Sequence, residues 1–210
     1  MKVLVIGDSY GLPRYAKNSF NVELDYAGTY PEQLRRMLSA NFTEDVCLVN
    51  RCRHANTSLS LIKGEANEIE FLRPDYTILQ LGLVDLWPAE GRKIWPLYSE
   101  QYGRDPWVTP DEYKNNLQLF LNFAKSRGSK VIVINNPPVE KKIVLYNNLL
   151  TRLTLGKSVN LLDWYDRIKS LDGKCIFGSD GIHPTREAAN LLARLLLQQI
   201  SLFEDGVVNG

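Results

Sequence analysis

Short apolar runs rich in β-branched residues alternate with segments whose apolar positions recur at helical spacing, which predicts a parallel α/β architecture. Lys2–Ile6 reads as a first strand, Val46–Asn50 as a second, Tyr76–Leu81 as a third, Lys130–Asn135 as a fourth and Val159–Leu162 as a short fifth. Tyr76–Leu81 lacks strict alternation, so it predicts a strand buried on both faces. Thr29 and Glu32 have capping-box spacing before a helix whose buried stripe is Leu34, Met37 and Leu38. Ser58–Leu72 reads as a helix broken or strained near Gly64. Thr109-Pro110-Asp111-Glu112 repeats the capping-box spacing with Pro at the first helical position. Tyr113, Leu117, Phe120, Leu121 and Ala124 then recur at helical spacing until Gly128 stops the run. Lys142–Leu155 predicts a helix ending at Gly156. Pro184–Phe203 predicts the last one, with Ala188, Leu192, Leu195, Leu196 and Ile200 on one face.

Five strands with intervening helices predict a three-layer α/β/α sandwich around a mainly five-stranded parallel sheet. No repeat, low-complexity segment or linker interrupts it, so 1–203 reads as one domain and Glu204–Gly210 as a frayed tail. In such sheets ligands bind beyond the carboxyl ends of the strands. The stretch from Leu86 to Val108 lacks periodicity and is longer than an ordinary connection.

Composition narrows the classes further. With 44% hydrophobic and 23% charged residues the chain is ordinary globular material. Twenty-five Lys plus Arg against 24 Asp plus Glu leave a net charge of +1, no footprint for a nucleic-acid partner. No apolar run is long enough to span a bilayer, and Met1–Asp8 lacks the features of a signal peptide. Three cysteines (Cys47, Cys52 and Cys175), an odd number without metal-type spacing, favour free thiols in a reducing compartment, with the cytoplasm as the default location; no cofactor is expected. The oligomeric state is not legible.

Two short segments carry candidate chemistry. Gly7-Asp8-Ser9-Tyr10 follows the first strand directly, which would stand a serine at the active edge of the sheet. The same residues also suit a plain polar turn. Asp180-Gly181-Ile182-His183-Pro184 places one of only two histidines three residues after an Asp, at the entrance to the last helix. That spacing lets a carboxylate hold one imidazole nitrogen while the other faces a nucleophile, although an Asp/Gly turn with an exposed His reads the same way.

Taken together, the two segments resemble the SGNH (GDSL-type) hydrolases in residue type, order and position, over nearly the whole chain. Asn50-Arg51-Cys52-Arg53-His54-Ala55-Asn56-Thr57-Ser58 is similar to the family's second block and Gly82-Leu83-Val84-Asp85 to its third. Tyr146–Leu150 and Val159–Asp163 are similar to the segment preceding the last block. The resemblance implies a flavodoxin-like SGNH fold and metal-free acyl transfer through an acyl-serine. It makes Ser9 the nucleophile, His183 the general base and Asp180 the orienting carboxylate, with oxyanion donors at the backbone N–H groups of Ser9 and Ala55.

Two positions depart from the family pattern. Ala55 stands where the family has Gly, and Val84 stands where it has an Asn that donates to the oxyanion. Losing one such donor typically costs about 10²–10³ in rate. A branch of GDSL-like proteins associated with bacterial surface-polysaccharide genes has a similar Gly-x-Val-Asp block. Arg14, Arg53, His54, Asn56, Asp85 and Trp87 are candidate substrate-binding residues; each Arg equally suits a solvated loop, and Asp85 a brace between loops. Asp8 suits holding the nucleophile turn. The segment Leu86–Val108 adds Trp95, Tyr98, Tyr102 and Trp107 with Arg92, Lys93 and Arg104, suited to sugar rings or acyl chains, or else to anchoring the loop itself. The expected activity is a carbohydrate O-acyl esterase acting on a small-molecule or glycan ester. The alternatives are an acyltransferase using the same intermediate and a weakened, glycan-binding member of the family.

Overall fold

The computed structural model describes residues 1–14, 24–86, 108–155, 159–171, 176–178 and 180–206. Five parallel strands form the sheet: β1 (Lys2–Gly7), β2 (Cys47–Asn50), β3 (Tyr76–Gln80), β4 (Lys130–Ile134) and β5 (Val159–Leu162). Their order is β2-β1-β3-β4-β5. β3 is buried along its whole length, as its sequence requires, whereas the edge strand β2 is only half-buried.

Among the described residues, six α-helices cover the sheet: α1 (Tyr30–Asn41), α2 (Ala66–Leu72), α3 (Pro110–Ser126), α4 (Ile143–Thr154), α5 (Trp164–Lys169) and α6 (Arg186–Glu204). The path from β1 to β2 runs opposite to every later crossover. Right-handed crossovers therefore put α1 on one face and α2, α3 and α4 on the other. The packing agrees: α1 lies against α6, while α3 packs on α2, α4 and β4. The reversal between β1 and β3 is a topological switch point, where open α/β sheets leave a crevice at their carboxyl edge.

Local chemistry explains which expected features form. The box at Thr109 is complete: Thr109 Oγ1 accepts from the Glu112 N–H at 3.2 Å and Glu112 Oε2 accepts from the Thr109 N–H at 2.9 Å. The expected box at Thr29 does not form. A 3₁₀ turn, Tyr26–Gly28, presents the Tyr26 carbonyl, and Thr29 Oγ1 donates to it at 2.8 Å. Glu32 instead pairs with Arg35 and Arg36. The expected break near Gly64 is a π-helix over Leu61–Glu65 leading into α2.

The last helix starts at Arg186, because Pro184 is held in an isolated bridge to Phe177 and Thr185 supplies the cap. Met37 and Leu195 lie at the margins of their apolar stripes and are half-buried. α5 was not expected; Asp163 caps it, and Trp164 and Ile168 bury one short face. Glu204, expected at the start of a frayed tail, closes α6 and is bonded by Lys130 Nζ at 3.0 Å and by the Tyr76 hydroxyl. No helix among the described residues is long and apolar enough to cross a membrane.

Candidate active site

β1 delivers Gly7-Asp8-Ser9 to the switch point. A Cβ on Gly7 would stand 3.0 Å from Cys52 Sγ and 3.2 Å from the Gln80 carbonyl oxygen, so a side chain there would have to push its neighbours back by a few tenths of an ångström. Asp8 caps the 3₁₀ turn Ser9–Gly11, its Oδ1 accepting from the Tyr10 N–H at 3.0 Å. Its Oδ2 accepts from Gln80 Nε2 at 3.2 Å, and that amide also donates to Asn136 Oδ1. Burial pushes the Asp8 carboxyl up to about 7, against the pull of these donors. Asp8 therefore holds the serine turn from below.

The second segment folds over the first. The antiparallel bridge between Phe177 and Pro184 closes a loop that carries Asp180 and His183. Asp180 Oδ1 accepts from the N–H groups of Ile182 at 2.9 Å and His183 at 3.0 Å, while Oδ2 lies 2.7 Å from His183 Nδ1. His183 Nε2 lies 2.8 Å from Ser9 Oγ. Burial works against the Asp180 charge, yet these N–H groups and the imidazole hold it below the usual carboxylate range. An ionised Asp180 can only accept, so Nδ1 carries the proton and Nε2 is the acceptor for the serine hydroxyl. Burial lowers the affinity of His183 for a second proton, and Arg14 and His54 add to this against the opposing Asp180. The imidazole is thus neutral at pH 7 and able to take a proton from Ser9.

The loops after β2 and β3 complete the edge. The Arg53 N–H and the Asn56 side-chain amide both donate to the Gly7 carbonyl, at 3.0 and 3.1 Å. Asn50 Nδ2 donates to the Gly11 carbonyl at 2.9 Å. Between these ties Ala55 adopts φ +51°, a left-handed conformation that glycine takes without steric cost. Among the described residues, neither the Ser9 N–H nor the Ala55 N–H donates to a protein acceptor. After β3, Gly82 has φ +131°, and a Cβ there would meet Asn136 Nδ2 at 2.6 Å and Tyr113 Oη at 2.8 Å. Val84 follows, buried and unable to donate.

The remaining candidates divide. Asp85 is inside the protein, where Oδ1 accepts from the Ser58 N–H at 2.9 Å and from Ser58 Oγ at 2.6 Å. It braces the loops after β2 and β3 rather than facing substrate, and burial raises it to about 6. Asn56 is buried on the Gly7 carbonyl and is likewise structural. Arg14 is 1% exposed, with its guanidinium spent on two backbone carbonyls, so it is not a solvent-facing contact for substrate. Arg53 and His54 are exposed beside Ala55; Arg53 Nη2 lies 3.5 Å from the buried Glu65. Trp87, with the aromatic and basic residues of 87–107, lies outside the described residues.

Tyr10, Gln80, Asn136 and Asn147 were not anticipated. Asn147 Oδ1 accepts from the Asn136 N–H and its Nδ2 donates to the Asn136 carbonyl, fixing the chain beyond β4 beneath the site. The pair Asn135-Asn136 directly after an apolar strand was the available signal. No group of three His, Cys, Asp or Glu side chains is placed to hold a metal among the described residues.

No protein-family model matches the sequence, and no curated protein matches it. Solved structures do. The chain superposes on a lipase/acylhydrolase from Enterococcus faecalis with TM-score 0.73 at 18% identity, covering 95% of this chain and 94% of that one. An acetylxylan esterase from Geobacillus stearothermophilus gives TM-score 0.73 at 20% identity over 95% and 93% of the two chains. An α/β hydrolase from the metagenome of Lake Arreo, Spain, gives 0.71 at 23% over 100% and 96%. The chain shares their fold. Its five-stranded parallel sheet flanked by helices matches these hydrolase structures across almost the whole chain.

Proposed function

We propose that the protein is a serine-dependent acyl-ester hydrolase that removes short acyl groups, such as acetyl, from a carbohydrate. The observation that carries this reading is the hydrogen-bonded chain Ser9–His183–Asp180, at 2.8 and 2.7 Å, on the carboxyl edge of the sheet. Ser9 Oγ attacks the ester carbonyl as His183 Nε2 takes its proton, and the imidazolium then returns that proton to the leaving alcohol. Water attacks the acyl-serine by the reverse proton path. Asp180 stays ionised and stabilises the imidazolium, while the N–H groups of Ser9 and Ala55 receive the developing oxyanion.

The carbohydrate part rests on less. The Gly82-Leu83-Val84-Asp85 block resembles the surface-polysaccharide branch of GDSL-like proteins, and a superposable structure is an acetylxylan esterase. Three cysteines without metal-type spacing support a cytoplasmic site of action. Val84 favours one further reading, a weakened member that binds glycans without turning them over. A panel of aryl esters and acylated sugars, assayed with the parent and Ser9→Ala, tests the proposal. Release of acyl groups by the parent alone supports it, and no Ser9-dependent release from any ester overturns it. Product analysis with and without an acceptor sugar separates hydrolysis from transfer.

A further inference from the structure

The three carbonyls around His183 are each held by a donor. The Ile182 carbonyl accepts from the Tyr10 hydroxyl at 2.6 Å, the His183 carbonyl from the Gly178 N–H at 2.9 Å and the Pro184 carbonyl from Arg14 Nη2 at 2.5 Å. Two of these donors are buried side chains, Tyr10 in the turn that presents Ser9 and Arg14 just beyond it. Arg14 Nη1 reaches back to the Ser9 carbonyl at 3.3 Å, so one rigid guanidinium spans the nucleophile and the base loop. Its own backbone is fixed by paired hydrogen bonds with Leu24, at 2.7 and 2.8 Å.

We propose that Tyr10 and Arg14 are positioning residues: together they clamp the backbone on both sides of His183 to the Ser9 turn, and Arg14 also holds a fixed positive charge at the backbone between Ser9 and His183. This rests on the hydrolase reading above. The clamp has a physical rationale in catalysis, since a misplacement of about 1 Å between reacting groups can cost 10²-fold in rate. The charge has one as well. Two backbone carbonyls need only donors, which a neutral amide could supply, whereas a buried guanidinium keeps its charge at all working pH values. Nε of Arg14 is buried without a hydrogen-bond acceptor among the described residues, while Asp180 and Asp8 favour the charge of the guanidinium. Among the described residues, Asp180 from its own loop, Arg14 from just beyond the Ser9 turn and His54 from the loop after β2 act on the imidazole. Arg14 and His54 oppose protonation and Asp180 favours it.

The test uses the full chain, with proton NMR of the two histidines assigned through His54→Gln, and kcat measured on whichever ester the parent cleaves. Arg14→Met should move the His183 titration to higher pH and carry the acid limb of kcat/KM with it. Arg14→Lys keeps the charge but not the fork, so it should retain the parental titration while losing on the order of tenfold or more in kcat. Tyr10→Phe should lower kcat while leaving the His183 titration in place. If Arg14→Met does not fold, the Lys and Phe variants still decide the matter. Folded variants with the parental titration and parental kcat would overturn the clamp. A parent that fails to react at Ser9 with a fluorophosphonate would overturn the hydrolase reading instead, and the NMR titration separates the two failures.

Discussion

The edge of the sheet is built from two pairs of loops, and they differ in how completely they are equipped. In the Ser9 and His183 loops, Ser9, His183 and Asp180 form an unbroken hydrogen-bonded chain, and backbone N–H groups fix the carboxylate. The loops after β2 and β3 are equally well braced, through the Gly7 carbonyl and the Asp85–Ser58 contact. Two residues there depart from the pattern that the resemblance implies: Ala55, which keeps its N–H but holds a left-handed backbone, and Val84, whose side chain cannot donate. On the proposed mechanism, activation of the nucleophile and stabilisation of the oxyanion are separable properties of one scaffold. The first pair would activate the serine, and the second would stabilise the intermediate with fewer donors than the resemblance implies.

Variants of each pair should fall far apart in size. Ser9→Ala should abolish ester cleavage, and Asp180→Asn should reduce kcat by about 10⁴, because the imidazole would lose the partner that fixes its tautomer. Steady-state kinetics on an acyl ester, with circular dichroism to confirm folding, checks both. In the second pair, Val84→Asn should raise kcat/KM on small aryl acetates by about tenfold or more by restoring a donor. A folded variant with no gain would mean that another group already fills that role, and a parent already fast on aryl acetates would remove the contrast. The smallest effect belongs to Ala55→Gly, which should stabilise the fold by about 1 kcal/mol in urea unfolding, the cost of a left-handed non-glycine residue. It should leave the aryl-acetate rate within a few-fold.

The two pairs also differ in how far the sequence announced them. Gly7-Asp8-Ser9 and Asp180–His183 are local signals, since each acts within a few residues of itself at a strand end or a helix entrance. The Thr109 box was legible for the same reason. Its twin at Thr29 was not, because the competing acceptor is a turn carbonyl and Glu32 has two arginines within one helical turn. Arg14 and Asn56 read as candidate substrate contacts in sequence, but burial is decided by partners far along the chain; Arg14 meets Pro184, 170 residues away. Tyr10 escaped notice similarly, its acceptor being the carbonyl of Ile182. The break at Gly64 was visible as a weak helix former, whereas the six-residue α5 is too short to show a period.

Reaction of Ser9 with a fluorophosphonate tests the activated-serine claim most directly, because a base-assisted serine is phosphonylated where ordinary hydroxyls are not. The account predicts a single adduct on Ser9, located by mass spectrometry and lost in His183→Ala. Its rate should also follow the imidazole. Burial, Arg14 and His54 lower the His183 pKa beneath 6.5, so the neutral base predominates at pH 7. Labelling should therefore be near its maximum there and fall only as the pH drops through that lowered value. An adduct elsewhere, or equal labelling of Ser9 in His183→Ala, would contradict the account.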